Sequence, residues 1–274
     1  MKWLKCVFDF YLDASIHVAL AVFSLVLATG LIMNFEVDEH LSFSMFFGTM
    51  ACYNFVKYGV EAEKYILVAN RYHKNIQFMS FIALILALYH AFFLTFETWL
   101  GLGVIFFLTG LYAVPILPKT PNLRNQGLLK IILVGLVWAI ATVILPVIAF
   151  KKAVVWDVYI EAFQRFVLVL ILLVPFEIRD LKYDSPELRT LPQRYGATHS
   201  KSLAAMLGVL FYFLSFSKDS LTLLDIIGKG ILFLGLGVMM YITKRNQTKY
   251  FASFWVEAIP IGWLIVLWLL ESYI

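Results

Sequence analysis

Ile16-His-Val-Ala-Leu-Ala-Val-Phe-Ser-Leu-Val-Leu-Ala-Thr-Gly-Leu-Ile-Met33 decides the class of this chain. The run holds no Asp, Glu, Lys or Arg, and as a helix it is long enough to cross the hydrocarbon core of a bilayer, which takes about 20 residues. Similar blocks recur along the sequence, at about 14–34, 42–60, 76–96, 99–117, 128–150, 158–176, 201–217, 221–243 and 251–271. Apolar residues make up 62% of the 274 and charged residues only 15%, where a soluble domain is nearer a quarter charged. Backbone polar groups in lipid must pair internally, so each block is expected to be helical. The alternating ten-residue segments of a membrane β-barrel are not seen. The expected fold is all-α: a polytopic membrane helix bundle of about nine transmembrane helices, with residues 1–274 forming a single membrane-embedded domain.

The polar clusters between blocks give an orientation. Of the 22 Lys and Arg residues, 17 fall at the N-terminus or after the second, fourth, sixth and eighth blocks. They include Lys57, Arg124, Arg179, Lys182, Arg189, Arg194 and Lys249, whereas Lys151, Lys152, Lys218 and Lys229 fall on the other side. The positive-inside rule places the N-terminus in the cytoplasm and the C-terminus outside, in what is expected to be the plasma (inner) membrane. The net charge of +4 follows from this bias and is no argument for nucleic acid. The N-terminal segment carries Asp9 and Asp13, and no small-residue cleavage site follows the first block, so it is not read as a cleavable signal. Cys6 and Cys52 are too few for a disulfide framework.

The informative polar stretch is Phe176-Glu-Ile-Arg-Asp180-Leu-Lys-Tyr-Asp184-Ser-Pro-Glu-Leu-Arg189-Thr-Leu-Pro192-Gln-Arg194-Tyr-Gly196. If the sixth helix runs on past the membrane, Glu177, Asp180 and Asp184 share one face. Three carboxylates on one stripe repel unless a cation lies between them. Mg2+ suits them, taking hard oxygen ligands and bridging to phosphate. Arg179, Lys182, Arg189 and Arg194 surround the stripe and could meet the outer oxygens of a diphosphate. A solvated helix end of mixed charge is the other reading of an isolated Asp-x-x-x-Asp.

The whole string resembles the second aspartate motif of the UbiA-type intramembrane prenyltransferases, roughly Asp-Ile-x-Asp-x-x-x-Asp followed by a basic residue, Thr-Leu-Pro and a Gly. Here Glu177-Ile178, Asp180, Asp184, Arg189, Thr190-Leu191-Pro192 and Gly196 keep that order and spacing. The resemblance implies a nine-helix bundle with its motifs on cytoplasmic loops. It also implies Mg2+-dependent transfer of a prenyl group from a polyprenyl diphosphate to a lipid or aromatic acceptor that is not identified. Enzymatically that is transfer of an alkyl group other than methyl. Carried over residue by residue, it makes Asp180 and Asp184 the catalytic metal ligands, with Glu177 secondary. Asn54, Lys57, Arg124, Arg189 and Arg194 become the contacts to diphosphate.

The family's first motif, approximately Asn-Asp-x-x-Asp-x-x-x-Asp, is degenerate here. Tyr53-Asn54-Phe55-Val56-Lys57-Tyr58-Gly59-Val60-Glu61-Ala62-Glu63-Lys64 keeps the leading Asn54, but the aspartate positions hold Phe55, Tyr58 and Ala62. Glu61 and Glu63 are out of register, and one residue of offset turns a helical side chain by about 100°. Two readings therefore stay open: a divergent prenyltransferase, or a catalytically inactive member acting as an isoprenoid-binding or scaffold protein. Among ionisable residues within the blocks, Arg165 and Glu161 are expected to neutralise each other across one turn. Glu257, near Pro260, is expected to snorkel or pair internally, and His90 with Tyr89 to be structural or to line a cavity.

Overall fold

The computed structural model describes residues 2–60, 71–113 and 127–273. Arg124, Glu61 and Glu63 lie outside the described residues. The chain forms helices α1 (Lys2–Asp13), α2 (Ile16–Met33), α3 (Glu39–Asn54), α4 (Arg71–Ala91), α5 (Phe96–Ala113), α6 (Gly127–Ala139), α7 (Leu145–Ala149), α8 (Trp156–Asp180), α9 (Leu191–Phe213), α10 (Leu223–Ile242) and α11 (Ile259–Glu271). π-helical segments extend α3 (Phe55–Val60), join α6 to α7 (Ile140–Ile144) and lead into α11 (Phe251–Val256). Among the described residues eight helical rods are long and apolar enough to cross a membrane. The 16 residues of α3 fall short alone, and α3 with its π turn stands as a ninth rod beside them. The polytopic helical bundle expected from the apolar blocks is thus the observed architecture, with ends displaced by a few residues from the expected bounds.

Burial sorts the rods. The spans of α2 and α8 are each 67% buried, and that of α5 only 11%. α2 and α8 form the axis of the bundle, and α4 and α5 an outer wall of exposed Phe, Leu and Ile. Such a wall suits a lipid solvent, in which apolar surface carries no penalty. Hydropathy did not foretell α1, which is too polar to span. It lies outside the core with Trp3 and Leu4 exposed, and Phe8 packs edge-on against Tyr250 and Phe254.

The loops gather at two ends. At one end, here the motif end, the α1–α2 corner, the turn after α3, the α8–α9 loop and the segment after α10 meet. Tyr72 donates to Asp13 at 2.9 Å, Lys249 pairs with Asp9 at 2.7 Å, and Gln247 donates to the Pro175 carbonyl at 2.7 Å. The opposite, far end is tied by Trp156 to the Ser217 carbonyl and by Asp157 to the amides of Asp219 and Ser220. His90 belongs there too, with its Nδ1 3.1 Å from that of His40.

Inside the far half lies a buried ionic network. Lys229 Nζ contacts Glu161 at 2.6 Å, Asp225 at 2.7 Å and the Gln164 side-chain oxygen at 2.7 Å. Lys218 pairs with Asp225 at 2.8 Å and with Glu161 at 3.0 Å. Arg165 sits 3.5 Å from Glu161. Its guanidinium donates to the Leu25 carbonyl, Thr142 and Thr29, and it faces the Trp263 ring. The expected self-neutralising Glu161–Arg165 pair is therefore the loosest link of a five-charge knot joining α2, the π segment after α6, α8 and α10. Lys218 and Lys229, counted above as outer-side charge, are interior residues with side chains at most 2% exposed.

Candidate functional site

The α8–α9 loop shows what the motif string does locally. α8 ends at Asp180, so the expected continuous helix through Asp184 is not formed. One more turn closes instead, with the Asp184 amide donating to the Asp180 carbonyl at 2.9 Å. Ser185 leads into a 3-10 turn (Pro186–Leu188), and Arg189 adopts a left-handed backbone, φ 50°. Thr190 is the N-cap of α9, with Leu191 and Pro192 next. Gln193 accepts from the Thr190 amide at 2.9 Å and donates to the Ser185 carbonyl at 3.0 Å, so one side chain caps the helix and closes the loop. Proline suits the first turn because the missing N–H there has no helical partner to lose. The Thr-Leu-Pro string is thus a helix-start signal that aims the preceding loop. Gly196, at φ 80°, breaks the helical path one turn later, a conformation glycine adopts without steric penalty. The loop also rests on the start of α6, where any side chain on Gly127 would fall on the carbonyls of Leu188 and Arg189.

The three carboxylates end in different states. Glu177 is buried and pairs with Lys130 of α6 at 2.7 Å through one oxygen, while its Oε2 has no hydrogen-bond partner. Asp180 receives both the Nε and an Nη of its neighbour Arg179, at 2.7 and 3.0 Å. Asp184 is half-buried, and its charge and that of Asp180 reach Glu177. Among the described residues no three His, Cys, Asp or Glu side chains converge closely enough to hold a metal ion. The donors nevertheless suit Mg2+ in kind, being hard oxygens, one of them buried without a partner.

The remaining sequence candidates divide. Asn54 is buried with its amide engaged: its oxygen accepts from Ser15 at 2.7 Å, and its nitrogen donates to the Ala14 carbonyl and to Ser80, each at 2.9 Å. That knot secures the α1–α2 corner, where Ser15 takes φ 58°. Lys57 pairs loosely with Asp13 at 3.3 Å, both about two-fifths exposed. Arg189 is exposed, and Arg194 donates to the Arg189 carbonyl at 2.8 Å, bracing the loop. Among the described residues, then, Glu177, Asp180 and Asp184 lie at the same end of α8 and its loop without converging on a common point, Glu177 paired with Lys130 and Asp180 with Arg179. Lys130 stands in the first turn of α6, and its pairing with Glu177, 47 residues further along the chain, has no local signature in the sequence.

A cavity of about 110 Å³ lies between α3, α5 and α6, lined by Cys52, Tyr53, Val56, Thr109, Tyr112, Leu133, Val134, Val137 and Trp138. Its walls are apolar apart from a few hydroxyls, and Trp138 donates to the Tyr53 hydroxyl at 3.0 Å. Aromatic faces and aliphatic walls of this kind accept a hydrocarbon chain.

No family model and no curated protein matches the sequence. Solved structures do match. A UbiA homologue from Archaeoglobus fulgidus bound to DMAPP and Mg2+ superposes with a TM-score of 0.65 at 13% identity, covering 96% of this chain and 99% of that one. The same homologue bound to Cd2+ gives 0.64 at 14% identity, over 94% and 98% of the two chains. A digeranylgeranylglyceryl phosphate synthase gives 0.58 at 18% identity, over 97% and 98%.

Proposed function

We propose, from the premise that this chain belongs by fold to the UbiA-type superfamily, that it transfers a prenyl group from a polyprenyl diphosphate to an acceptor within the membrane. The observation that carries the reading is Glu177 Oε2, buried without a hydrogen bond at the end of α8 that also bears Asp180 and leads to Asp184. An unsatisfied buried oxygen of this kind costs about 1–3 kcal/mol. A bound cation would relieve that penalty. Asp180, Asp184 and Glu177 are the residues that would hold Mg2+, which when bound neutralises the charge of the diphosphate leaving group.

The protein's own groups do the rest. Arg179 is poised to exchange its hold on Asp180 for a phosphate oxygen, since a guanidinium grips either in the same planar fashion. Lys57, Arg189 and Arg194 line the approach on the motif side, Arg124 is assigned there by sequence alone, and Asn54 acts by fixing the corner on which Lys57 stands. The cavity between α3, α5 and α6 takes the prenyl tail and excludes water from the reacting carbon. The motif end faces the cytoplasm, following the distribution of Lys and Arg.

The reading is tested by thermal unfolding of the detergent-solubilised protein with geranylgeranyl diphosphate, with and without Mg2+. At about a hundredfold excess over Kd, binding to the folded state adds roughly 2.7 kcal/mol. The expected result is a stabilisation that needs Mg2+ and disappears in Asp180→Ala. No stabilisation in a folded wild-type protein, at any of several prenyl lengths, would overturn it. A second reading, an isoprenoid-binding protein without transfer activity, is favoured by Phe55 and Tyr58 at positions where the family carries aspartates. It predicts stabilisation by a prenyl alcohol as large as that by the diphosphate, with no Mg2+ requirement.

A further inference from the structure

Lys130 belongs to two parts of the site at once. On α6 the residues Leu133, Val134, Val137 and Trp138 line the cavity. Counted from Lys130 they are three, four, seven and eight positions on, so all five share one face of the helix. Lys130 is therefore the motif-end member of the cavity's α6 wall, one turn nearer the α8–α9 loop than Leu133 and Val134. Trp138 lies about 12 Å further along, at a rise of 1.5 Å per residue, and donates to the Tyr53 hydroxyl at 3.0 Å. Gly127, one turn before Lys130, carries the Leu188 and Arg189 carbonyls, which leave no room for a Cβ. One stretch of α6 thus floors the motif loop, presents an ammonium and then becomes apolar wall.

The Lys130 side chain reaches across to α8, where its Nζ pairs with Glu177 Oε1 at 2.7 Å. The two partners are unequally enclosed, the Glu177 side chain being 4% exposed and that of Lys130 22%. The cation is thus the accessible member of the pair. An ammonium has three donors, and Glu177 Oε1 engages one of them, fixing the group without enclosing it. The far-half lysines differ. Lys218 and Lys229 are at most 2% exposed, and each meets both Glu161 and Asp225. Their charge is taken up within the protein, whereas Lys130 heads an amphiphilic recess, cationic at its own end and apolar along Leu133, Val134 and Val137.

We propose that Lys130 holds the diphosphate of the prenyl donor and makes the site selective for a phosphorylated prenyl chain over the free alcohol. This rests on the prenyl-transfer reading. The donor is itself an amphiphile, a hydrocarbon tail ending in two phosphates. With the tail along the α6 wall, the diphosphate comes to lie at the Lys130 end, beside the α8 terminus that bears Asp180. Lys130 keeps one N–H on Glu177 and donates another to a phosphate oxygen. Such a charge-assisted bond is about twice as strong as one between neutral groups, and partial burial of the ammonium strengthens it further. The free alcohol brings no charge to this position and gains nothing from it.

The test uses full-length protein in nanodiscs with Mg2+. The probes are the unreactive geranylgeranyl S-thiolodiphosphate and the uncharged geranylgeraniol, and direct titration is the readout. Wild type is expected to bind the diphosphate probe at least about tenfold more tightly than the alcohol, as one charge-assisted hydrogen bond allows. Lys130→Met strands the buried Glu177 carboxylate and is expected to fold poorly, so two other variants carry the test. Lys130→Gln keeps a donor to Glu177 without the charge, and Lys130→Met/Glu177→Gln removes both charges together. Lys130→Gln should bind the diphosphate probe at least about tenfold more weakly than wild type, and the double variant at least about tenfold more weakly than Glu177→Gln. Both should hold geranylgeraniol within about threefold of wild type, since a tail in the cavity touches no charge. The role of Lys130 is overturned if the double variant binds the diphosphate probe as tightly as Glu177→Gln, which would leave Lys130 only the neutraliser of a buried carboxylate. It is overturned equally if geranylgeraniol loses as much affinity as the diphosphate, which would make Lys130 cavity wall alone. In both cases wild type still prefers the diphosphate, and the prenyl-transfer reading stands. A folded wild type that binds neither probe, or binds the alcohol as tightly as the diphosphate, sinks that reading itself.

Discussion

Two sets of intramembrane charge in this chain are built on opposite plans. In the far half, Glu161, Asp225, Arg165, Lys218 and Lys229 are closed off from solvent, and each is paired within the network, which ties α8 to α2 and α10. In the motif half, among the described residues, Glu177 keeps one oxygen without a hydrogen bond, Asp180 is paired with its sequence neighbour Arg179, and Glu257 has no partner. Both sets are expensive in a low-dielectric interior. The difference is in what completes them. The far set is completed by protein and fixes how the helices meet. The motif set has polar groups that the described residues leave unsatisfied.

The largest effect that tests the contrast is expected at Lys229. Lys229→Met strips Glu161, Asp225 and Gln164 of their shared donor. Breaking a buried pair in this way costs about 3–5 kcal/mol, or on the order of 10 °C in Tm for a chain of this size. A loss below 1 kcal/mol would mean that the far network is not architectural. Asp180→Ala tests the other side: stability without ligand should change by less than about 0.5 kcal/mol, while the Mg2+-dependent stabilisation by diphosphate, about 2.7 kcal/mol at a hundredfold excess over Kd, disappears. Asn54→Ala should lower stability by about 1–3 kcal/mol, because Ala14, Ser15 and Ser80 lose a buried partner together. A direct ligand role for Asn54 would instead weaken diphosphate binding at unchanged stability. Glu257→Gln should leave Tm unchanged or slightly raised, since no described residue pairs with its carboxyl group; a clear fall would reveal a partner.

The smallest effect sits outside the membrane. Hydrogen bonds from Lys249 first, and then from Tyr250, hold the Asp9 carboxyl below its ordinary pKa. A depressed folded value means that this contribution is present above the unfolded pKa of about 3.9 and is lost as pH falls through the lower folded value. Asp9→Asn should therefore flatten the acid limb of the stability profile. The loss at neutral pH should stay below about 1 kcal/mol, as for other exposed ion pairs.

How far the sequence could be read follows from the range of the forces involved. Span positions were legible because an apolar block is a local property, and α2 and α11 lie where the first and last blocks place them. The α8–α9 loop was legible as a motif but not as a shape. Helix continuation through Asp184 followed from spacing, and spacing does not register the turn that Gln193 closes back onto Ser185. The far network was invisible, because Lys229 and Glu161 stand 68 residues apart and a lysine in an apolar span looks like any boundary lysine. The hydrogen bonds of Asn54 were out of reach for the same reason: its place in a degenerate motif suggested a ligand, and the contacts to Ala14, Ser15 and Ser80 show in addition the corner it holds.

Gly127 bears on any attempt to engineer this chain. The loop carrying Asp184 and Arg189 is seated on a position that has no room for even a methyl group. A transplant of a complete aspartate loop from another scaffold must bring its own α6 floor, or keep the length from Asp184 to Thr190 unchanged. Otherwise the imported ligands would arrive with correct identities at the wrong height above the membrane.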